Sequence, residues 1–429
     1  MSMILILGLL LAFIAIGVPV AIALGLTSLI AFFALFGLSA PIDLVAQRMY
    51  YGVNSFLLVA VPFFMLAGEV MNRSGATRRL FRFAEAMVGW LPGGLGHVNV
   101  AASFIFAGMS GSAAADAAGL GAIEIRAMKE RGYPLLFSVG LTAASSTIGP
   151  MVPPSIPLIV YGVMSGASIG GLFLAGVVPG MLMCLLLSAM VWLTALRGEL
   201  PVGERFAAQE LLAALKGALL PLMTPVIVLV GIFGGYFTPT EASVVAVIYT
   251  SLLGVLVYRE ITWRDLAQMV ASVARETAPL MLIVASAALF GYLIIRLGIP
   301  RQLADTILSV TQEPRLILLL IVLILLITGF FMETVSAIII FTPLFMPVAE
   351  AAGIDPLHLG VVTVATLMIG VITPPVGIVL FIMQKVSSLP VEQVFRAVMP
   401  FFLPLLAAVL ILALFPALST WLPQAFYGR

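Results

Sequence analysis

Charge is scarce in this chain, and the scarcity sets its class. Only 9% of its 429 residues are charged, while 62% are hydrophobic. Soluble domains carry roughly 25% charged residues, so a soluble fold is excluded. Cysteine is almost absent. The single Cys184 lies inside an apolar run, so no disulfide forms within the chain and no redox compartment is marked. The two histidines, His97 and His358, lie far apart near segment ends, which argues against a metal centre built on them. A net charge of +1 leaves no electrostatic footprint for nucleic acid. No ten-residue alternating pattern recurs, so a transmembrane β-barrel is excluded. Met1-Ser2-Met3 leads straight into an apolar run without a basic region or a small-residue cleavage site, so an uncleaved first span is expected.

What is present is a series of apolar stretches, many of them near 20 residues, between residues 3 and 420. The expected class is an all-α polytopic membrane protein. Two stretches, 134–165 and 357–386, are interrupted at the same point, 221 residues apart. The first interruption reads Ile148-Gly149-Pro150-Met151-Val152-Pro153-Pro154, and the second Ile369-Gly370-Val371-Ile372-Thr373-Pro374-Pro375. Proline removes a backbone donor and clashes with the preceding turn, so each predicts a broken helix. Unpaired backbone at membrane depth survives only where it is buried or lines a polar cavity. Paired broken helices in two halves of a chain point to a transporter's binding site.

Two further stretches carry small or polar residues at their centres: Gly108-Met109-Ser110-Gly111-Ser112 and Thr328-Gly329-Phe330-Phe331-Met332-Glu333-Thr334. Each reads as a re-entrant hairpin, 98–127 and 316–349, or alternatively as one span with a polar face. A repeat favours the hairpins. Gly108 to Pro153 and Gly329 to Pro374 are both 45 residues, and Gly132 matches Gly353 at the same offset. Arg73-x-Gly75-x-x-Arg78-x-Leu80 matches Arg296-x-Gly298-x-x-Arg301-x-Leu303. The expected organisation is a first repeat over 1–196, a cytoplasmic amphipathic linker over 197–217 and a second repeat over 218–429.

If each hairpin returns to the side it entered, each half crosses five times and the second half is inverted. On that topology fifteen basic residues fall on one side, including Arg73, Arg78, Arg79, Arg82, Arg131, Arg197, Arg264 and Arg275. Five fall on the other: Arg48, Arg296, Arg301, Arg315 and Arg429. The first side is then cytoplasmic, and both termini are periplasmic.

Carbonyls freed at a broken helix, together with hydroxyls, suit a small hard cation such as Na⁺, and half-helix N-termini suit an anionic substrate. The first candidate Na⁺ site combines Ser110 and Ser112 with Gly149, Val152 and Pro154. The second combines Gly329, Met332 and Thr334 with Gly370, Thr373 and Pro375. Ser110, Asp116, Ser155 and Glu333 are tentative substrate contacts. The alternative is that these residues serve close helix packing. Asp116, Glu241 and Glu333 read as buried carboxylates. Glu241, after Thr238-Pro239-Thr240, reads rather as a first-turn cap, and Asp116 reads equally as a helix-start partner. Glu69 and Glu124 fall near span ends, where water is expected.

Phe106-Ala107-Gly108-Met109-Ser110-Gly111-Ser112, Gly149-Pro150-Met151-Val152-Pro153-Pro154-Ser155 and Tyr236-Phe237-Thr238-Pro239-Thr240-Glu241-Ala242 resemble, in motif and segment order, the large membrane subunit of tripartite ATP-independent periplasmic (TRAP) transporters. The resemblance spans nearly the whole chain. It implies an elevator-type ion transporter fold and Na⁺-coupled uptake of an organic acid, such as a C4-dicarboxylate, a keto acid or sialic acid. It implies a periplasmic substrate-binding protein and a small four-helix membrane subunit as partners, and the bacterial inner membrane as the location. No four-helix stretch precedes Met1, so the small subunit is expected as a separate chain. Na⁺ is the only coupling ion implied, with no organic cofactor. The alternatives are a self-sufficient Na⁺/organic anion carrier and, less favoured, an ion channel. An intramembrane hydrolase lacks paired aspartates or a Ser–His pair at depth, so no enzyme is expected.

Overall fold

The structure, a computed structural model, describes residues 3–37, 41–201, 203 and 205–428. Met1, Ser2, Val202, Glu204 and Arg429, which enter the expected repeats, linker and charge count, lie outside the described residues. The chain opens with α1 (Met3–Ala15), α2 (Val20–Phe36), α3 (Asp43–Val53), α4 (Ala60–Arg73) and the amphipathic α5 (Ala76–Val88). A helical hairpin follows, α6 (Gly94–Ser110) and α7 (Ala113–Glu130). Next comes a helix in two pieces, α8 (Leu135–Ser145) and α9 (Ile156–Ser165), and then α10 (Ile169–Leu196). The second half has α11 (Ala208–Phe233), α12 (Pro239–Leu252), α13 (Trp263–Arg296) and α14 (Ile299–Val310). It continues with the hairpin α15 (Pro314–Phe331) and α16 (Thr334–Ala351), the broken pair α17 (Pro356–Gly370) and α18 (Ile378–Ser387), α19 (Val391–Leu414) and α20 (Ala417–Tyr427). There is no strand among the described residues, and eight helices are long and apolar enough to cross a bilayer.

Local chemistry explains the boundaries. Ser168 Oγ accepts from Gly171 N at 3.2 Å and starts α10. Asp355 Oδ1 accepts from Leu357 N at 2.7 Å and starts α17. Such caps satisfy amides that have no partner inside the helix. Prolines also sit inside six helices, among them Pro343 and Pro347 in α16, without ending them. One proline costs one ladder bond, which neighbouring helices can accommodate. Proline alone therefore does not break a helix here. The two breaks each combine a glycine with a Pro-Pro pair, and both Pro-Pro peptide bonds are cis.

The expected linker needs correction. Residues 208–217 are not separate from the next span but form the start of the continuous α11.

Two groups of helices emerge from the packing. α2, α3 and α4 pack against α12 and α13. The hairpins and broken helices interlock in a second group, where α9 lies on α16 and α18 lies on α7. Each half thus places the second piece of its broken helix against the other half's hairpin.

Candidate functional site

At the first tip, Gly111 adopts φ +57, and a Cβ there would meet the Pro154 carbonyl. Only glycine suits both the left-handed backbone and that approach. Ser112 then starts α7, its Oγ accepting from Ala115 N at 3.4 Å. The tip is pinned to the first break, since Ile156 N donates to Gly111 O at 3.4 Å. Within the break, Ser155 Oγ accepts from Leu158 N at 3.2 Å and donates to the Pro150 carbonyl. Every residue from Gly149 to Ser155 is buried.

The second tip turns without glycine. Met332 and Glu333 are extended, and Glu333 Oε2 starts α16 by accepting from Ser336 N at 3.1 Å. Gly329 and Gly370 bring α15 and α17 together, because a Cβ on Gly370 would strike the Gly329 backbone. Val376 N donates to Phe330 O at 3.3 Å, tying the second break to its own tip. Thr373 Oγ1 donates to Ile369 O at 2.7 Å, leaving its lone pairs free.

The two junctions meet. A cavity of about 120 Å³ is bounded by Gly111, Ser112 and Pro150 from the first half and Glu333, Thr334 and Val371 from the second. The Ser110 and Thr334 hydroxyls are buried and without hydrogen-bond partners. A buried hydroxyl without a partner is costly, so these two oxygens are available to a ligand. Met65 and Leu280, from the other helix group, close the cavity. Their apolar identities gave no sequence signal.

The remaining predicted residues lie as follows. Ser110 lines a neighbouring cavity with Ser112. Gly149 sits against the Ser112 carbonyl, so break and tip one are in contact. The Val152 side chain packs against Gly180 of α10. Pro375 is exposed. Asp116 and Ser155 line neither of these cavities. Asp116 is 1% exposed and neither carboxylate oxygen has a hydrogen-bond partner.

One acid takes the capping alternative and one departs from expectation. Glu241 is exposed rather than buried. Its Oε2 accepts from Thr238 N at 2.8 Å while Thr238 Oγ1 accepts from Glu241 N at 3.3 Å, a reciprocal cap that needs no buried site. Glu124 is buried rather than wet, with 1% exposure. α7 runs on past it to Glu130, and Asn99 Nδ2 donates to Glu124 Oε2 at 2.8 Å and to Thr142 Oγ1 at 2.7 Å. Ser145 Oγ donates to Asn99 Oδ1 at 2.7 Å. This polar core ties the first hairpin to α8, and Asn99 in the largely apolar α6 was the signal for it.

Residues 7–418 match the family described as "Tripartite ATP-independent periplasmic transporter, DctM component". The chain belongs to the TRAP transporter family as a large membrane subunit. It is 43% identical over 412 residues to the "Sialic acid TRAP transporter large permease protein SiaM" of Vibrio cholerae, covering 96% of each chain. It is 38% identical to the "C4-dicarboxylate TRAP transporter large permease protein DctM" of Pseudomonas aeruginosa, covering 89% of each. Among solved structures, the Alcanivorax borkumensis YdaH transporter shares the fold with a TM-score of 0.61 at 15% identity, covering 86% of each chain. The TRAP subunit is thus a multi-pass membrane transporter component and not an enzyme.

Proposed function

We propose that the TRAP subunit carries out Na⁺-coupled import of an organic acid by alternating access. The observation that carries this reading is the cavity where both tips and both breaks converge, with two unpartnered hydroxyls beside it. Hydroxyl and carbonyl oxygens are the donors a hard monovalent cation takes. Ser110, Ser112 and the Gly149, Val152 and Pro154 backbone would serve one ion. Thr334, Thr373 and the Gly329, Met332, Gly370 and Pro375 backbone would serve another. The N-termini of α7 and α16 end at the same cavity and favour an anion there. Ser110 and Glu333 are the tentative substrate contacts that line the two cavities. Relatives are named for sialic acid and for C4-dicarboxylates, both carboxylates, which supports that substrate class.

The two halves would be inverted repeats, and the hairpins with their broken helices would move as an elevator against α2–α4 and α11–α13. α2, α3 and α4 pack more extensively on α12 and α13 than on the hairpins, which supports that division. A small four-helix membrane subunit would widen the scaffold, and a periplasmic binding protein would deliver substrate. The chain would lie in the bacterial inner membrane with both termini periplasmic.

Uptake into proteoliposomes, with each partner omitted in turn, tests the reading. Na⁺-driven uptake of sialic acid or a C4-dicarboxylate is expected only with all three components. Full-rate uptake by the isolated chain would instead identify a self-sufficient carrier. For topology, in a Cys184-free background, an impermeant thiol reagent should label Gln312→Cys but not Gln209→Cys in intact cells. Labelling at 209 would overturn the orientation.

A further inference from the structure

A second cavity, of about 280 Å³, reaches the first tip from the ends of α4 and α13. Its walls include Ser110 and Ser112 of the tip, and Glu69 and Glu276 from the other helix group. Among the described residues no lysine or arginine lines it. Glu69 is bridged to Arg73, with Nε to Oε1 at 2.7 Å. Glu276 is exposed, and its carboxylate accepts from the Ser272 hydroxyl at 3.4 Å. The adjacent Arg275 turns its Nε to Ala271 O at 3.1 Å. Against these two acids stands the Ser110 hydroxyl, 2% exposed and without a partner.

The placement is unusual for its surroundings. Arg73, Arg78, Arg79, Arg264 and Arg275 make this the basic side of the chain, the side expected to face the cytoplasm. Two carboxylates thus enter a recess on an otherwise basic face, one of them bridged to Arg73. Carboxylates in a narrow cleft concentrate counter-ions there more strongly than the same charges on an open surface. A hard cation leaving the tip would exchange hydroxyl and carbonyl oxygens for carboxylate oxygens before full hydration.

We propose that Glu69 and Glu276 form a vestibular site for the coupling cation, through which it passes between the first tip and the cytoplasm. This rests on the Na⁺-coupled reading above. The complete transporter, reconstituted with its partners, is loaded with increasing internal Na⁺, and the internal concentration that halves uptake is measured. Glu276→Gln alone and with Glu69→Gln should raise that concentration, the double variant by roughly threefold to tenfold. The external Na⁺ requirement should move less than the internal one. Glu276→Asp should restore most of the internal sensitivity. A double variant with unmoved internal half-inhibition would overturn the vestibular site while leaving Na⁺ coupling intact. If the double variant does not purify as a monodisperse protein, Glu276→Gln alone decides the matter by the same readout. A wild-type transporter indifferent to external Na⁺ would sink the coupling reading and this site with it.

Discussion

From Leu141 to Gly162 every residue of the first broken helix is buried, whereas the second exposes Pro375 and Ile378. The segments occupy matching places in the two halves, yet their local chemistry differs. The first break is closed by Ser155, whose hydroxyl serves both the start of α9 and the Pro150 carbonyl. The second resumes at Gly377, which has no side chain to cap α18. The first tip turns on a left-handed glycine, the second on two extended residues and a carboxylate cap. A common topology has been met by unlike bonding, and the second junction is the more open of the two. Few buried contacts and uncapped backbone mark the regions of a fold that open first.

The largest expected effect comes from filling the close approaches. Gly111→Ala forces a Cβ into the Pro154 carbonyl at positive φ, and Gly370→Ala forces one into the Gly329 backbone. Overpacking costs about 1–3 kcal/mol, and a strained αL backbone adds about 1–3 kcal/mol at Gly111 only. Gly111→Ala should therefore lower the thermal midpoint further than Gly370→Ala, read by heating the purified protein in detergent. Equal shifts would show that the first junction relaxes as easily as the second.

Removing candidate ligands comes next. A hydrogen bond or contact to a charged partner is worth about 1.5–3 kcal/mol. Ser110→Ala and Thr334→Ala should each raise the Na⁺ concentration for half-maximal uptake by roughly tenfold. Ser112→Ala also removes the α7 cap, so a loss of stability of about 1 kcal/mol should accompany its effect on Na⁺. Unchanged Na⁺ dependence in all three would assign these hydroxyls to packing.

Accessibility sharpens the comparison more directly. Ile156 and Ile378 open the second pieces of the two broken helices, with 6% and 37% exposure. In a Cys184-free background, Ile378→Cys should react with a small thiol reagent much faster than Ile156→Cys. Similar rates would mean that the first junction opens as often as the second.

The smallest effect belongs to Glu241. Glu241→Gln loses part of a reciprocal cap, so a small drop in the thermal midpoint is expected without any change in Na⁺ dependence. A Na⁺ effect would return this acid to the transport pathway.

Much of this was legible in the chain itself. Scarce charge and recurring apolar runs determine an all-helical membrane protein, because a bilayer offers the backbone no other partner than itself. The Gly-Pro-x-x-Pro-Pro break and the Gly-x-Ser-Gly-Ser tip mark where helices stop, since glycine and proline act on the backbone locally. Contacts between distant segments leave no such trace. That both junctions meet in one cavity and that Glu124 finds Asn99 and Thr142 depend on which faces pack together. Burial of a carboxylate is set by its neighbours across the bundle, so only the tertiary structure decided which acids are enclosed and which hydroxyls are left without a partner.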